Sequence, residues 1–221
     1  MNSTMIDLHM HSFLSDGVLT PSELARRCDA MGFTAIAITD HVDSSNIETV
    51  VPQIVKACNE INKHWKIKTI PGFEITHTPI EIIGELAKEG RALGAKIAVL
   101  HGETVVEPVI KGTNHAGVLA DIDILVHPGV IDEEDAKIAA EKNIYLEISG
   151  RKGHSFTNGH VAKTAQKTGA QLIFNTDSHS PNDLMSKEMA ELVMQGSGLS
   201  NKEIEKAFQN AQKLVEKAVA S

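Results

Sequence analysis

The sequence predicts an α/β fold in which about seven parallel strands alternate with helices around a closed or nearly closed sheet. Seven short apolar runs, helical patterns between them and polar side chains at the run ends support this prediction. Most runs are continuous in Ile, Leu, Val and Ala, which is typical of parallel strands that are buried on both faces. The regular alternation of strand and helix predicts βα units and one parallel sheet.

The predicted elements follow one another at regular intervals. The strands read MIDLHMH (5–11), TAIAITDH (34–41), IKTIPGFE (67–74), AKIAVLHGE (95–103), IDILVHPG (122–129), NIYLEIS (143–149) and QLIFNTDSH (171–179). Helical patterns include residues 23–31, 47–64, 79–93 and 133–142. Capping boxes are predicted at TPSE (20–23), TPIE (78–81) and SNKE (200–203), with a weaker one at SPND (180–183). Without a linker or repeat, residues 1–221 are predicted to form one domain, with the barrel at about 5–195 and a C-terminal helix at about 201–218.

Side chains that can bind a metal ion or a proton end every predicted strand. They are His9 and His11, Asp40 and His41, Glu74, His101, His127, Glu147, and Asp177 with His179. Histidine fills only 11 of 221 positions, so its presence in five of the seven run ends is far from random scatter. An open doubly wound sheet gathers its ligands in one crevice, whereas a barrel gathers side chains from many strand ends at its mouth. The distribution therefore favours a barrel.

His9 and His11 have the spacing that one metal ion requires. Residues i and i+2 of a strand face the same side with Cα atoms roughly 6.5–7 Å apart. Both imidazoles can then reach an ion at about 2.0–2.1 Å. Taken alone, the pair would also fit an edge strand that exposes two polar side chains. The histidines at four other strand ends favour a metal site instead. Of the remaining histidines, three are predicted to lie outside the site: His64, His77 and His115. The roles of His154 and His160, in the loop after the sixth run, are left open.

Composition limits the classes of function. The formal net charge of −8, the pI of about 5.7 and an aromatic content of 4% disfavour binding to extended nucleic acid. The two cysteines, Cys28 and Cys58, lie in helical patterns and are expected to be buried small hydrophobic residues rather than thiolate ligands or a disulfide. The sequence shows neither a signal peptide nor a long apolar segment, so a cytoplasmic protein without membrane contact is expected.

The ordered set HMHSFLSDG, ITDH, GFE, LHGE, VHPG and NTDSH, which spans residues 7–179, resembles the PHP domain family (polymerase and histidinol phosphatase). The resemblance implies a distorted, TIM-barrel-like (β/α)7 barrel with two or three divalent ions, typically zinc, manganese or iron. It also implies hydrolysis of phosphoesters. The metal's identity stays open, because mixed nitrogen and oxygen ligands accept all three metals.

The resemblance implies a ligand set at matching positions of this sequence. His9, His11 and Asp177 would hold one ion, which Glu74 bridges to a second ion that His101 and His127 also bind, while Asp16, His41 and His179 would hold a third. Asp40 is expected to be the partner of a ligating histidine. Glu147 is expected near the mouth, either beside the ligands or as a structural carboxylate.

The charge of such a site suggests its substrate. Three carboxylates and six neutral imidazoles leave about +1 with two ions and about +3 with three. A phosphate fits this pocket, and a metal-bridging hydroxide is the expected nucleophile. Arg151, the one arginine that follows a strand end, is predicted to bind the phosphate, with a solvated loop cation as the alternative. Lys152 and His154 are weaker candidates in the same loop.

Four functions are compatible with these features. The preferred prediction is an enzyme, a phosphatase that hydrolyses a small phosphomonoester of the histidinol phosphate type. The alternatives are a phosphodiesterase or exonuclease acting on nucleotides or nucleic-acid ends, an RNA-binding PHP-like subunit without catalysis, and a metal-dependent amidohydrolase. An RNA-binding subunit should be basic with eroded ligand positions, unlike this chain. The oligomeric state stays open.

Overall fold

Parallel strands at seven positions form a nearly closed barrel in the computed structural model, which describes residues 5–220. The strands are β1 (Met5–Asp7), β2 (Phe33–Ile38), β3 (His41–Val42), β4 (Lys68–Ile75), β5 (Ile97–His101), β6 (Ile124–Val126), β7 (Tyr145–Ser149) and β8 (Leu172–Asn175). Their order is β1-β2-β4-β5-β6-β7-β8, and β3 continues the position of β2 beside β4. A bridge between Met10 and Ser178 joins the two ends of the sheet. The predicted parallel α/β barrel is confirmed.

Helices follow most of the strands and cover the outside of the barrel. They are α1 (Pro21–Ala30), α2 (Ile47–His64), α3 (Ile83–Ala92), α4 (Thr113–Leu119), α5 (Glu133–Lys142), α6 (Asn158–Thr168), α7 (Lys187–Gly196) and α8 (Asn201–Ala220). Short 3-10 turns occupy Ile80–Ile82, His154–Thr157 and Pro181–Asp183. Within residues 5–220, none of these helices has the length and apolar character needed to cross a membrane.

The predicted capping boxes form at two of their four positions. Ser200 and Glu203 bond reciprocally before α8, and Ser180 pairs with Asp183 in the same way. The boxes predicted at Thr20 and Thr78 are wrong, because neither N-terminus has a side-chain capping bond. At Thr20 the following proline already fixes the first helical turn. After Thr78 the chain makes a 3-10 turn before α3 begins.

Apolar side chains fill the lower part of the barrel interior, where the strands begin. Ile6, Ile97 and Ile124 pack there against Leu214 and Val215 of α8, which covers this end of the barrel. Side chains two residues apart on a strand share a face. A strand can therefore direct an apolar side chain into the lower interior and, two residues later, a polar side chain into the upper end. Val99, for example, is followed by His101 on the same face.

A second apolar layer lies between the strands and the surrounding helices. It includes the fully buried rings of Phe73 and Phe174. Cys28 and Cys58 are buried in this layer and unpaired, which confirms their predicted role as small hydrophobic residues. Burial raises the pKa of the Cys58 thiol to about 12, so this thiol stays protonated and unreactive.

Polar contacts fix α8 to the barrel's lower end. Asp123 Oδ1 accepts a hydrogen bond from Lys217 Nζ at 3.0 Å, and its Oδ2 accepts one from Arg91 Nη2 at 2.6 Å. Asn210 Nδ2 donates to the carbonyl of Leu172 at 2.8 Å. Helix α8 is therefore held both by packing and by these polar contacts.

We expect Gly129→Ala to be much more destabilising than Gly169→Ala. Both glycines have positive φ, +61° and +82°, but a Cβ at Gly129 would lie 1.8 Å from the carbonyl oxygen of Glu103, whereas one at Gly169 meets nothing within 4 Å. The free energy of unfolding should fall by about 3–4 kcal/mol for Gly129→Ala and by about 1–2 kcal/mol for Gly169→Ala. Urea unfolding measures both, and equal losses would contradict the proposed clash.

Candidate metal centre

All nine predicted ligands converge at the upper end of the barrel, where the strands end. Four overlapping groups of donor atoms could each hold one ion: His9, His11 and Glu74; Glu74, His101 and His127; His9, His127 and Asp177; and His11, Asp16, His41 and His179. Within each group the donor atoms lie within 4.8 Å of one another. Glu74 belongs to two groups, which is the position that a bridging carboxylate requires.

Glu74 lies at the centre of the cluster and is fully buried. Its Oε1 is 3.4 Å from His9 Nε2 and 3.6 Å from His127 Nε2, and its Oε2 is 3.5 Å from His11 Nε2. Asp177 Oδ1 lies 3.2 Å from the same His11 nitrogen. An ion bound at about 2.0–2.2 Å from each atom fits between donors at these separations.

Asp16 organises the outer side of the cluster. Its Oδ1 is 3.1 Å from His179 Nε2 and 3.5 Å from His41 Nε2. Asp16 is more than half exposed, whereas His179 is only 12% exposed. A third ion at this position would thus be the one nearest to solvent.

Unpaired polar atoms indicate that the cluster suits metal ions. Four ring nitrogens of His9, His11 and His127 and both oxygens of Glu74 are buried and have no hydrogen-bond partner. Buried polar atoms are normally paired, because an unsatisfied one costs about 1–3 kcal/mol. Across residues 5–220 only two other buried side-chain atoms share this condition, at Thr78 and Asn210. Imidazole and carboxylate donors are the ligands of zinc, manganese and iron sites, so the donor set fits divalent transition metals.

Two of the candidate ligands have unusual backbone conformations. His127 has φ +28° and Asp177 has φ +53°, values that side chains other than glycine rarely adopt. His127 directly follows β6, and Asp177 lies two residues after the end of β8, so both positive φ values occur where the chain leaves the upper end of the barrel. Such strain persists where the surrounding structure enforces it, often at functional sites.

Glu147 fixes the orientation of His9. Its Oε2 accepts a hydrogen bond from His9 Nδ1 at 2.9 Å and another from Asn175 Nδ2 at 2.9 Å, and its Oε1 accepts from the amide of His127 at 3.3 Å. A proton on Nδ1 leaves the Nε2 lone pair of His9 directed at Glu74 and Asp177. Of the two roles left open for Glu147, the contacts favour that of a carboxylate beside the ligands.

We expect Glu147→Gln to weaken metal affinity by about 10–100-fold, because the partners of ligating histidines typically contribute that much. The amide keeps the shape of the side chain but loses the charge that supports His9. Competition with a chromogenic chelator measures the affinity, and Glu134→Gln on the exposed face of α5 is the control. Wild-type affinity in Glu147→Gln would exclude this role.

Burial and mutual attraction set the charge of the cluster. Burial raises the pKa of Asp177 to about 7 and lowers the pKa of His127 to about 4. Burial also opposes a charge on Glu74, but attraction to His41 and His9 outweighs it, and the pKa of Glu74 lies well below its ordinary value. The centre therefore combines a charged carboxylate with a neutral imidazole, the states in which both bind metal.

The side chain of Asp40 makes no hydrogen bond to a ligating histidine, so that part of its predicted role is wrong. Its Oδ1 accepts hydrogen bonds from the amide of Ser12 at 2.8 Å and from Ser15 Oγ at 2.7 Å, and its Oδ2 accepts one from Ser12 Oγ at 2.7 Å. Asp40 is fully buried and instead holds the loop that follows His11. It positions the peptide that carries Asp16, since Ser15 is the neighbouring residue.

Arg151 lines the cavity. Its Nη1 donates to the carbonyl of Asp177 at 3.0 Å and to His179 Nδ1 at 2.7 Å. Its Nε is 3.6 Å from Asp177 Oδ2. Arg151 is about one-third exposed and lines the cavity above the ligands, a position that suits a group binding a substrate anion. Lys152 is exposed and does not line the cavity.

The cavity above the cluster has a volume of about 310 Å³. Besides predicted residues, Thr76, His77 and Glu107 line it, and so does His154, the weaker candidate of the loop after the sixth run. The prediction that His77 lies outside the site is therefore wrong, and Glu107 was not predicted at all. Glu107 comes from the long loop after β5, six residues beyond His101, where no periodicity marks it. The other histidines lie elsewhere: His64 pairs with Glu60, His115 with Asp135, and His160 with the carbonyl of Ile131.

The chain is similar to known proteins in sequence and in fold. The family model described as PHP domain matches residues 7–218. The chain is 47% identical over 201 residues to the uncharacterized protein MJ1295 of Methanocaldococcus jannaschii, covering 90% of this chain and 92% of that protein. It is 26% identical over 194 residues to the DNA polymerase/3'-5' exonuclease PolX of Bacillus subtilis, covering 78% of this chain but only 34% of PolX.

A solved structure of archaeal ribonuclease P with mature tRNA contains a chain of the same fold. It superimposes with a TM-score of 0.73 at 14% identity, covering 96% of this chain and 91% of that one. At this level of identity the likeness shows the fold alone.

Proposed function

The chain belongs to the PHP domain family. We propose that it is a metal-dependent phosphoesterase that hydrolyses a small phosphomonoester. The observation that carries the proposal is the convergence of nine imidazole and carboxylate donors, six of whose atoms are buried without partners, beneath one cavity. A cavity of about 310 Å³ suits a small substrate. We further propose that these nine residues are the metal ligands and that the partner is a small phosphorylated molecule.

The residues of the chain divide the work of such a site. Bound divalent ions would supply positive charge for the phosphate and an ionised water as nucleophile. Glu74 would hold two ions at a short separation, while Glu147 keeps the Nε2 lone pair of His9 directed inward. The buried walls around Glu74 lower the local dielectric and strengthen every charge interaction with the substrate.

Arg151 would bind the phosphate group. Its guanidinium is already held beside the cluster by Asp177 and His179, so little conformational entropy is lost when it meets an anion. A planar guanidinium can donate two parallel hydrogen bonds to phosphate oxygens. The leaving group would then extend through the open side of the cavity, where Asp16 and His77 lie.

A substrate screen with matched metal analysis tests the proposal. Purified full-length protein is loaded with Zn²⁺, Mn²⁺ or Fe²⁺ and assayed with histidinol phosphate, nucleoside monophosphates and an aryl phosphate diester. We expect turnover of at least one monoester that disappears on chelation. Turnover of diesters alone would overturn the monoester assignment, and bound metal without any turnover would overturn the enzymatic one.

Arg151→Ala is expected to lower kcat/KM for the best monoester by about 10–100-fold, the range that one charge-assisted phosphate contact contributes. Lys68→Ala at the exposed beginning of β4 is the matched control, since it removes a cation far from the cavity. Initial-rate kinetics on both variants measure the difference. Equal and small effects would remove Arg151 from the substrate site.

A phosphodiesterase or exonuclease is the second candidate, and exposed aromatic side chains favour it. Phe13 and Phe156 are 70% and 76% exposed, on the loops that carry Asp16 and His154. Exposed rings beside a phosphoester site can stack on bases. PolX, whose name includes a 3'-5' exonuclease, matches over much of this chain. The net charge of −8 weighs against long nucleic acids, so nucleotide ends are the substrates to test.

An RNA-binding subunit without catalysis is the least favoured function. The chain in the ribonuclease P assembly has the same fold, but fold likeness alone is a weak argument for function. The acidic composition and the full set of nine donors both argue against this function.

A further inference from the structure

A further group of donors lies beside the nine candidate ligands, on the solvent side of the cavity. Glu107 Oε2 is 3.0 Å from His101 Nε2 and 3.1 Å from His77 Nε2. The three residues come from the ends of β4 and β5 and from the loop after β5, and their donor atoms lie within 4.8 Å of one another. Only His101 is shared with the inner cluster.

The loop that carries Glu107 is braced at both ends. Glu103 Oε1 accepts hydrogen bonds from the amides of Gly112 at 2.8 Å and Asn114 at 3.0 Å. Thr104 Oγ1 and His154 Nδ1 are hydrogen-bonded at 2.7 Å, which ties the loop to the one after β7. Glu107 is therefore presented to the two histidines by an ordered frame.

The short distance between His101 Nε2 and Glu107 Oε2 is favourable only if a positive charge lies at this contact. His101 Nδ1 donates to the carbonyl of Gly102 at 3.2 Å, which leaves the lone pair of Nε2 facing the carboxylate of Glu107. Two acceptors 3.0 Å apart repel unless a cation is present between them or on one of them. A metal ion about 2.0–2.2 Å from each atom fits this separation. Two imidazoles and one carboxylate form a ligand set typical of zinc and its neighbours rather than of magnesium or calcium.

Exposure places this group on the route from solvent to the inner cluster. The side chains of His77 and Glu107 are 40% and 36% exposed, whereas Glu74 is fully buried and His127 is 1% exposed. His101 belongs both to this outer group and to the inner group with Glu74 and His127. An ion bound outside can reach the inner position by exchanging Glu107 for Glu74 while it stays on His101.

We propose that His77, Glu107 and His101 form an outer capture site that takes divalent transition-metal ions from solvent and passes them to the inner cluster through His101. The site requires no substrate, and it concerns the acquisition of metal rather than hydrolysis. It would accept Zn²⁺, Co²⁺ or Mn²⁺ as a weakly held ion with open coordination positions.

Stopped-flow uptake of Co²⁺ by metal-free, full-length protein tests this site. The visible absorption of bound Co²⁺ follows the rate, and elemental analysis after equilibration counts the ions per chain. In Glu107→Gln the uptake rate should fall about tenfold or more, because a carboxylate at the mouth concentrates cations there. After gel filtration has removed the weakly held outer ion, the number of ions bound should not change. His77→Gln should slow uptake in the same direction.

The exposed pair Glu60 and His64 on α2 supplies the matched control. Its oxygen and nitrogen are 3.2 Å apart, much like the capture site, but it lies away from the cavity. Glu60→Gln should leave the uptake rate unchanged. An unchanged rate in Glu107→Gln would overturn the proposal, and so would a lower ion count after gel filtration, since Glu107 would then belong to the inner centre. Circular dichroism verifies that each variant is folded, and failure to find a phosphoester substrate would leave this result intact.

Discussion

Replacement of Glu74 by glutamine is expected to lower phosphoester hydrolysis by at least about a thousandfold and to remove at least one bound ion per chain. Glu74 is the residue whose two oxygens face four imidazoles of the cluster, those of His9, His11, His41 and His127. An amide offers one neutral oxygen where two charged ones are needed, and its NH₂ group is directed at the position of a cation. Two neighbouring ions would then lose their shared ligand.

Elemental analysis and steady-state kinetics on the same preparations measure both losses. Glu81→Gln, in the 3-10 turn before α3, is a control with the same chemistry outside the cavity. Full metal content together with a rate near that of the wild type would show that Glu74 is not the bridging residue. Circular dichroism verifies that the Glu74→Gln variant is folded.

Addition of Zn²⁺ or Mn²⁺ to metal-free protein is expected to raise the melting temperature by about 8–16 °C. An ion at 1,000 times its dissociation constant stabilises the folded state by about 4 kcal/mol. For a chain of this size each kcal/mol corresponds to about 2–4 °C. The unfolded chain disperses the nine ligands over 171 positions of sequence from His9 to His179 and cannot bind ions in the same way.

Differential scanning fluorimetry over a range of metal concentrations measures this shift. Ca²⁺ serves as the control ion, because it prefers oxygen ligands and should stabilise much less at equal concentration. A melting temperature that no transition metal changes would argue that the cluster is a hydrogen-bonded network and not a metal centre.

The sequence allowed the barrel and the position of its mouth to be predicted, because both depend on local patterns. Continuous apolar runs identify buried strands, and the alternation of faces predicts that Val99 and His101 share one side. His9 and His11 follow the same rule. For such residues the strand itself sets the direction of the side chain, so position in sequence is enough.

Residues on loops could not be predicted in this way. Glu107 reaches the cavity only because Glu103 and Asn114 fold the long loop after β5 back over the barrel. His77 turns toward the cavity through a positive φ of +51°, which no sequence pattern predicts outside glycine. Asp40 illustrates the opposite error, since its side chain was expected to pair with a ligating histidine and instead bonds to Ser12 and Ser15. For Glu107, His77 and Asp40, contacts between residues distant in sequence set the position of the side chain, and the local sequence pattern does not show these contacts.

Helix α8 has a consequence for how molecules move through the protein. Its Leu214 and Val215 pack against the apolar side chains that fill the lower end of the barrel, so this end gives no passage to the interior. Under the proposed function, substrate, product and ions would all pass through the same cavity, which Arg151, His77 and Glu107 line. A phosphate bound in that cavity would block the exit of the ions beneath it. The protein should therefore lose its metal most slowly while phosphate is bound.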